Sequence, residues 1–173
     1  MRQRRPDGAG RRWAPGEADY DAAVTRWLDE GEQQVWRAFL EANQRLWDRL
    51  ARELDEKSSL SLAEYEILVR LSETEDRALR MSELADLLVH SRSRLTHTAR
   101  RMEERGLVRR QACPGDGRGV LCVMTDDGYA QLVAAAPVHV EGVRTHLFDQ
   151  LTREEVAALG SAMTKIGEHL RSS

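Results

Sequence analysis

The sequence predicts a mainly helical protein with one small β-hairpin, and three features of the chain point there. Apolar residues recur at steps of three and four through most of its 173 residues, the spacing of amphipathic helices. Helix-capping residues (Ser61, Ser91, Thr125, Thr152) stand just ahead of several of those runs. One stretch, from Leu107 to Met124, breaks the helical period with two β-prone runs around Pro114-Gly115-Asp116-Gly117.

Taken in order, residues 1–17 hold five arginines among Pro6, Gly8, Gly10, Pro15 and Gly16. That composition predicts a disordered basic arm, either a solvated tail or a contact for phosphates. A short helix is expected over residues 19–30, with Val24, Trp27 and Leu28. A long one follows from Gln33 to about Lys57, whose Trp36, Phe39, Leu40, Leu46, Trp47, Leu50 and Leu54 make one broad apolar stripe. Ser61 and Glu64 form a capping box that opens a helix with Tyr65, Leu68, Val69 and Leu71. Ala78 to Met81 is expected as a short strand. Ser82 is expected to cap a brief helix, Glu83 to Val89, with Leu84, Ala85 and Leu88 facing inward.

Ser91 then caps a helix that runs to Arg105 and stops at Gly106. Two short helices joined by so tight a turn are the helix-turn-helix arrangement. The hairpin comes next, followed by a long helix from Thr125 to about Gln150 with a kink expected at Pro137. Thr152 and Glu155 cap a last helix carrying Leu159, Met163, Ile166 and Leu170. The domain reading is therefore an arm (1–17), N-terminal helices (18–60), a helix-turn-helix lobe with its hairpin (61–125) and C-terminal helices (126–173).

Composition narrows the function. Apolar residues make up 41% and charged residues 32% of the chain, and no apolar run approaches the roughly 20 residues of a membrane span. The arginine-rich start lacks the apolar core of an export signal, so a cytoplasmic protein with no membrane association is expected. The formal charge is −3, which by itself disfavours a nucleic-acid binder. Its distribution reverses that inference. Between His90 and Arg118 stand eight arginines against Glu103, Glu104 and Asp116, a local charge of +5 that leaves −8 for the rest. A basic island on an acidic body is an electrostatic footprint for phosphate.

On a helical wheel Leu95, Ala99 and Met102 cluster on one side of the Ser91–Arg105 helix. The opposite side carries Ser93, Arg94, His97, Arg100 and Arg101, a face suited to the major groove of DNA. Ser93, Arg94, His97 and Arg101 are the candidates for the groove. Arg92 and Arg100 are the candidates for phosphates, with Ser91 and Arg110 in the same DNA-binding set. At the hairpin tip Arg118 is placed for an adjacent minor groove, and Asp116 for bracing an arginine or shaping the turn.

Three segments together resemble the MarR family of bacterial regulators. They are Met81-Ser82-Glu83-Leu84-Ala85-Asp86-Leu87-Leu88, the run from Ser91 to Val108, and Asp116-Gly117-Arg118 leading into a strand that ends Met124-Thr125. The resemblance covers about residues 33–170. It implies a winged helix-turn-helix fold and a homodimer knit by long N- and C-terminal helices. It also implies a pseudo-palindromic double-stranded DNA operator and repression of a nearby gene, relieved by a small and often aromatic effector. Two departures stand out: Arg92 occupies a position where many relatives carry proline, and about 30 residues precede the first family helix. On the same resemblance Trp36, Phe39, Trp47 and Tyr65 would line an effector pocket, whereas plain core and dimer packing explains each of them equally well.

Other chemistries have less behind them. Cys113 and Cys122 fall out of register on the expected hairpin, with Cys122 opposite Arg110, so ordinary thiols are expected and not a disulfide. His139 and His146 share a helix face without evident third and fourth ligands, and neither a metal nor a cofactor is expected. Ser91, Ser93 and His97 are neighbours, but capping explains the serines, and no nucleophile elbow or phosphate loop accompanies them. An enzyme is not expected. The competing reading is a helical dimer whose basic face docks on an acidic partner protein.

Overall fold

The computed structural model describes residues 25–88, 91–113 and 116–172, apart from the side chains of residues 116–118. Among the described residues there are six α-helices and three strands: α1 (Glu30–Lys57), α2 (Leu62–Ser72), β1 (Ala78–Arg80), α3 (Met81–Leu87), α4 (Arg92–Glu104), β2 (Val108–Cys113), β3 (Asp116–Met124), α5 (Asp126–His146) and α6 (Arg153–Ser172). A 3₁₀ turn over Phe148–Gln150 separates the last two helices. The described residues divide into two compact units, one ending at Phe39 and the other beginning at Leu40. In the first, Trp36 and Phe39 stack with ring centroids 5.9 Å apart.

The second unit holds the core. Leu54, Leu60, Ile67, Leu68, Leu71, Leu84, Leu95, Met102, Val108 and Cys122 are all essentially inaccessible there. Each helix of the helix-turn-helix contributes to it. Leu84 and Ala85 of α3 are buried as expected, and so are Leu95, Ala99 and Met102 of α4. The three strands form one antiparallel sheet in the order β1-β3-β2. Cys122 stands opposite Arg110, the register expected from the sequence, and an irregularity separates Ala112 from Cys113. Both cysteines are free thiols, and burial pushes the Cys122 thiol up to about 12.

Some boundaries differ from expectation. Residues 25–29 are not helical and α1 begins at Glu30, because Asp29 caps it: the Asp29 carboxylate accepts from the Glu32 N–H at 2.8 Å, and Glu32 accepts from the Asp29 N–H at 2.9 Å. The remainder of the helix expected over 19–30 and the arm expected over 1–17 lie outside the described residues. Ser82 is not a cap. Helix α3 starts one residue ahead of it, and Glu83 accepts instead from the Arg80 backbone N–H at 3.2 Å. Strand β3 takes up Asp116 and Gly117, which were expected in the turn, and β1 pairs with the far edge of β3. Helix α5 ends at His146, short of Gln150, and Pro137 lies inside it.

Local chemistry explains the stops and starts around α4. Gly106 adopts φ +74°, a conformation costly for any residue with a Cβ. Its N–H donates to the Glu103 carbonyl, and the Leu107 N–H to the Met102 carbonyl, each at 2.9 Å. That pair of bonds is a Schellman cap. The Leu107 carbonyl next accepts from both the N–H and the hydroxyl of Thr125, so the start of α5 is tied to the end of the helix-turn-helix. Gly128 packs so closely there that a Cβ would fall 2.1 Å from the Leu107 oxygen.

Candidate nucleic-acid interface

Helix α4 presents the site. Ser91 caps it, its hydroxyl accepting from the Arg94 N–H at 3.3 Å. Leu95, Ala99 and Met102 anchor one face in the core, which turns the other face outward. Ser91, Arg92, Ser93, Arg94, His97 and Arg100 are all exposed. Arg92, Ser93, His97 and Arg100 border one shallow, open depression together with Thr96. Thr96 was not singled out from the sequence, because its hydroxyl looks like an ordinary helix residue and indeed donates to the Arg92 carbonyl at 2.8 Å.

The electrostatics of α4 are uneven along its length. Its first turn holds Arg92 and Arg94 and no acid. Cations at a helix N-terminus oppose the macrodipole, at a cost of about 0.3–1 kcal/mol each. Among the described residues neither has an ion-pair partner, and Arg100 has only an exposed Glu104 at 3.5 Å. The C-terminal half is different. Arg101 and Arg105 converge on Glu64 of α2 at 3.3 and 2.9 Å. Arg110 of β2 is held at 2.7 Å by Glu103, which also accepts from the Arg110 backbone N–H at 2.8 Å. Those contacts, the backbone one foremost, outweigh burial and hold the Glu103 carboxyl below its usual range.

The remaining sequence candidates separate. For Arg118 and Asp116 the backbone lies in β3, and their side chains are outside the described set. Trp36 and Phe39 belong to the first unit, where Trp36 borders an open apolar depression with Leu28, Glu32 and Val35. In the second unit Trp47 is exposed, whereas Tyr65 is a core residue whose ring lies tilted against His139, centroids 4.6 Å apart. The two histidines raised as metal ligands have other surroundings. His146 meets Glu53 at 2.8 Å, and burial lowers the pKa of His139. Among the described residues no group of three or more His, Cys, Asp or Glu side chains is arranged to hold a metal.

Comparison with known proteins decides what this arrangement belongs to. The MarR family model matches residues 60–120, the span from the α2 cap into β3. The HTH-type transcriptional regulator PecS of Dickeya dadantii is 30% identical over 126 residues, covering 72% of this chain and 75% of PecS. The chain belongs to the MarR family. Two MarR regulators of Streptomyces coelicolor extend the match to whole folds. AbsC is 44% identical with a TM-score of 0.79, covering 86% of this chain and all of AbsC. Sco3205, solved in complex with DNA, is also 44% identical, with a TM-score of 0.80 over 84% of this chain and 91% of its own. This MarR-family protein is accordingly a DNA-binding transcriptional regulator and not an enzyme. None of its described helices is long and apolar enough to cross a membrane.

Proposed function

We propose that the protein is a cytoplasmic homodimeric repressor that reads a pseudo-palindromic operator through the N-terminal half of α4. One observation carries the reading: Arg92, Arg94 and Arg100 sit exposed on one helix with no strong counter-charge. A phosphate backbone turns that unfavourable arrangement into a favourable one. In this assignment Arg94, Ser93 and His97 meet base edges, Ser91, Arg92 and Arg100 hold phosphates, and Arg118 reaches a minor groove braced by Asp116. Arg101 and Arg110 are engaged with Glu64 and Glu103 and have a weaker claim. The DNA complex of Sco3205 supports this use of the fold.

Dimerisation is supported by the terminal helices. Helix α6 has no buried residue, yet Met163, Ile166 and Leu170 form an exposed stripe at helical spacing. In α5, Val133 and Val140 are each 54% exposed. A two-fold partner would cover such faces. Two copies of α4 would then meet major grooves about 34 Å apart. Release by a small aromatic effector rests on family membership together with the exposed Trp36, Phe39 and Trp47.

Titration by fluorescence anisotropy against the DNA flanking the protein's own gene tests the proposal. Saturable binding of one dimer, preferred over a scrambled duplex by at least about 1,000-fold, is expected. Equal, salt-sensitive binding to both duplexes would sink the specific-operator reading.

A further inference from the structure

Glu64 is the most deeply buried charged group described in the protein, with its side chain only 2% exposed. Its sequence context explains part of that. As the last member of the Ser61 capping box it accepts from the Ser61 N–H at 2.9 Å and donates its own N–H to the Ser61 hydroxyl at 3.4 Å. A cap of this kind works at the surface and does not require burial. The other carboxylate oxygen faces α4, where it accepts from Arg101 at 3.3 Å and Arg105 at 2.9 Å. Arg105 continues to the Ser59 carbonyl at 2.6 Å. Burial alone would raise the Glu64 carboxyl, but the Ser61 and Arg105 contacts outweigh it and hold it below the usual carboxylate range.

This geometry matters for how α4 is aimed. Leu95, Ala99 and Met102 hold the helix by apolar packing, which is strong but non-directional. Charge-assisted bonds to a fixed carboxylate are directional. Arg101 and Arg105 are one turn apart and lie beside Arg94 and His97 on the wheel, so a bond to them fixes the roll of the outward face. A roll of about 20° would carry surface atoms roughly 2 Å, given a helix radius near 5–6 Å. That displacement is enough to break a base contact.

We infer that Glu64 is a positioning residue for DNA recognition: from α2 it grips Arg101 and Arg105, fixes the roll of α4, and withdraws both arginines from contact with DNA. The inference rests on α4 being the DNA-reading helix, and Arg94→Ala is the control for that premise.

The test uses Glu64→Gln, Arg101→Met and their double variant. Each is titrated by anisotropy on operator and scrambled duplexes from 50 to 200 mM salt, after circular dichroism confirms folding at the assay temperature. Glu64→Gln is expected to lower the operator-to-scramble ratio at least about tenfold, with a salt slope that steepens as two arginines are released to the DNA. Arg101→Met, which leaves Glu64 paired with Arg105, is expected to lower the ratio with its slope unchanged. The double variant is expected to fall short of the product of the single effects. An unchanged ratio in folded Glu64→Gln overturns the inference. So does a slope that falls by about 1 per lobe in Arg101→Met, which would make Arg101 a phosphate contact. Should Glu64→Gln fail to fold, the Arg101→Met slope and ratio decide alone. No effect of Arg94→Ala would remove the premise about α4, whereas a large Arg94 effect with none from Glu64 or Arg101 rejects only the positioning role.

Discussion

Replacing Arg100 by glutamine isolates one electrostatic contact and has a calculable signature. The Arg100 side chain is 61% exposed, and its only partner among the described residues is Glu104, 64% exposed and 3.5 Å away. An exposed pair of that kind contributes about 0–1 kcal/mol, so the substitution should leave thermal stability nearly unchanged. Its effect on DNA binding should be large and strongly salt-dependent. Each neutralised phosphate contributes about 0.9 to the slope of log affinity against log salt. The proposed homodimer would lose two such contacts, one per lobe, and its slope should flatten by about 1.8. Between 50 and 200 mM salt the affinity ratio of wild type to variant should therefore shrink by roughly twelvefold. Anisotropy titrations at four salt concentrations would measure this, on operator and scrambled duplexes alike, since a phosphate contact carries no sequence information. A slope identical to that of the wild type would refute the assignment of Arg100 to phosphate. A loss confined to the operator would make it a base contact.

Three further outcomes follow from the packing and the titrating groups. Gly128→Ala places a methyl against the Leu107 carbonyl. After the gain in helix propensity it should cost about 2–3 kcal/mol, or roughly 5–10 °C in Tm by calorimetry; unchanged stability would show that α5 has room to shift. Cys122, fully buried with its thiol near 12, should resist a thiol reagent at pH 8 until the protein is unfolded, whereas the half-buried Cys113 should react first. Mass mapping of the labelled peptides distinguishes the two. His139 is depressed by burial, so its stabilising contribution is complete above an unfolded value of about 6.5 and is lost as pH falls towards the lower folded value. Urea titrations from pH 7.5 to 5 should show that decline in the wild type and a shallower one in His139→Leu; equal slopes would remove His139 as its source.

Much of the fold was legible in the sequence because its signals are local. The Ser61 capping box, the Ser91 and Thr125 caps and the Gly106 stop each require only a few consecutive residues, and each formed where it was expected. The inward face of α4 followed from helical geometry alone. Misplaced boundaries fell where two local signals competed, as at Asp29, which caps α1 within a segment read as helix.

The sequence by itself determined the helix-turn-helix, the hairpin and the basic face, since spacing and side-chain chemistry specify those without reference to distant residues. Only the tertiary structure decided which of its arginines are already paired with a carboxylate. Eight look equivalent along the chain, yet Arg101 and Arg105 are claimed by Glu64, 37 and 41 residues away, and Arg110 by Glu103. The reason is physical. A carboxylate removed from water must find cations wherever the packed elements bring them, and that proximity is not written in the spacing of the chain.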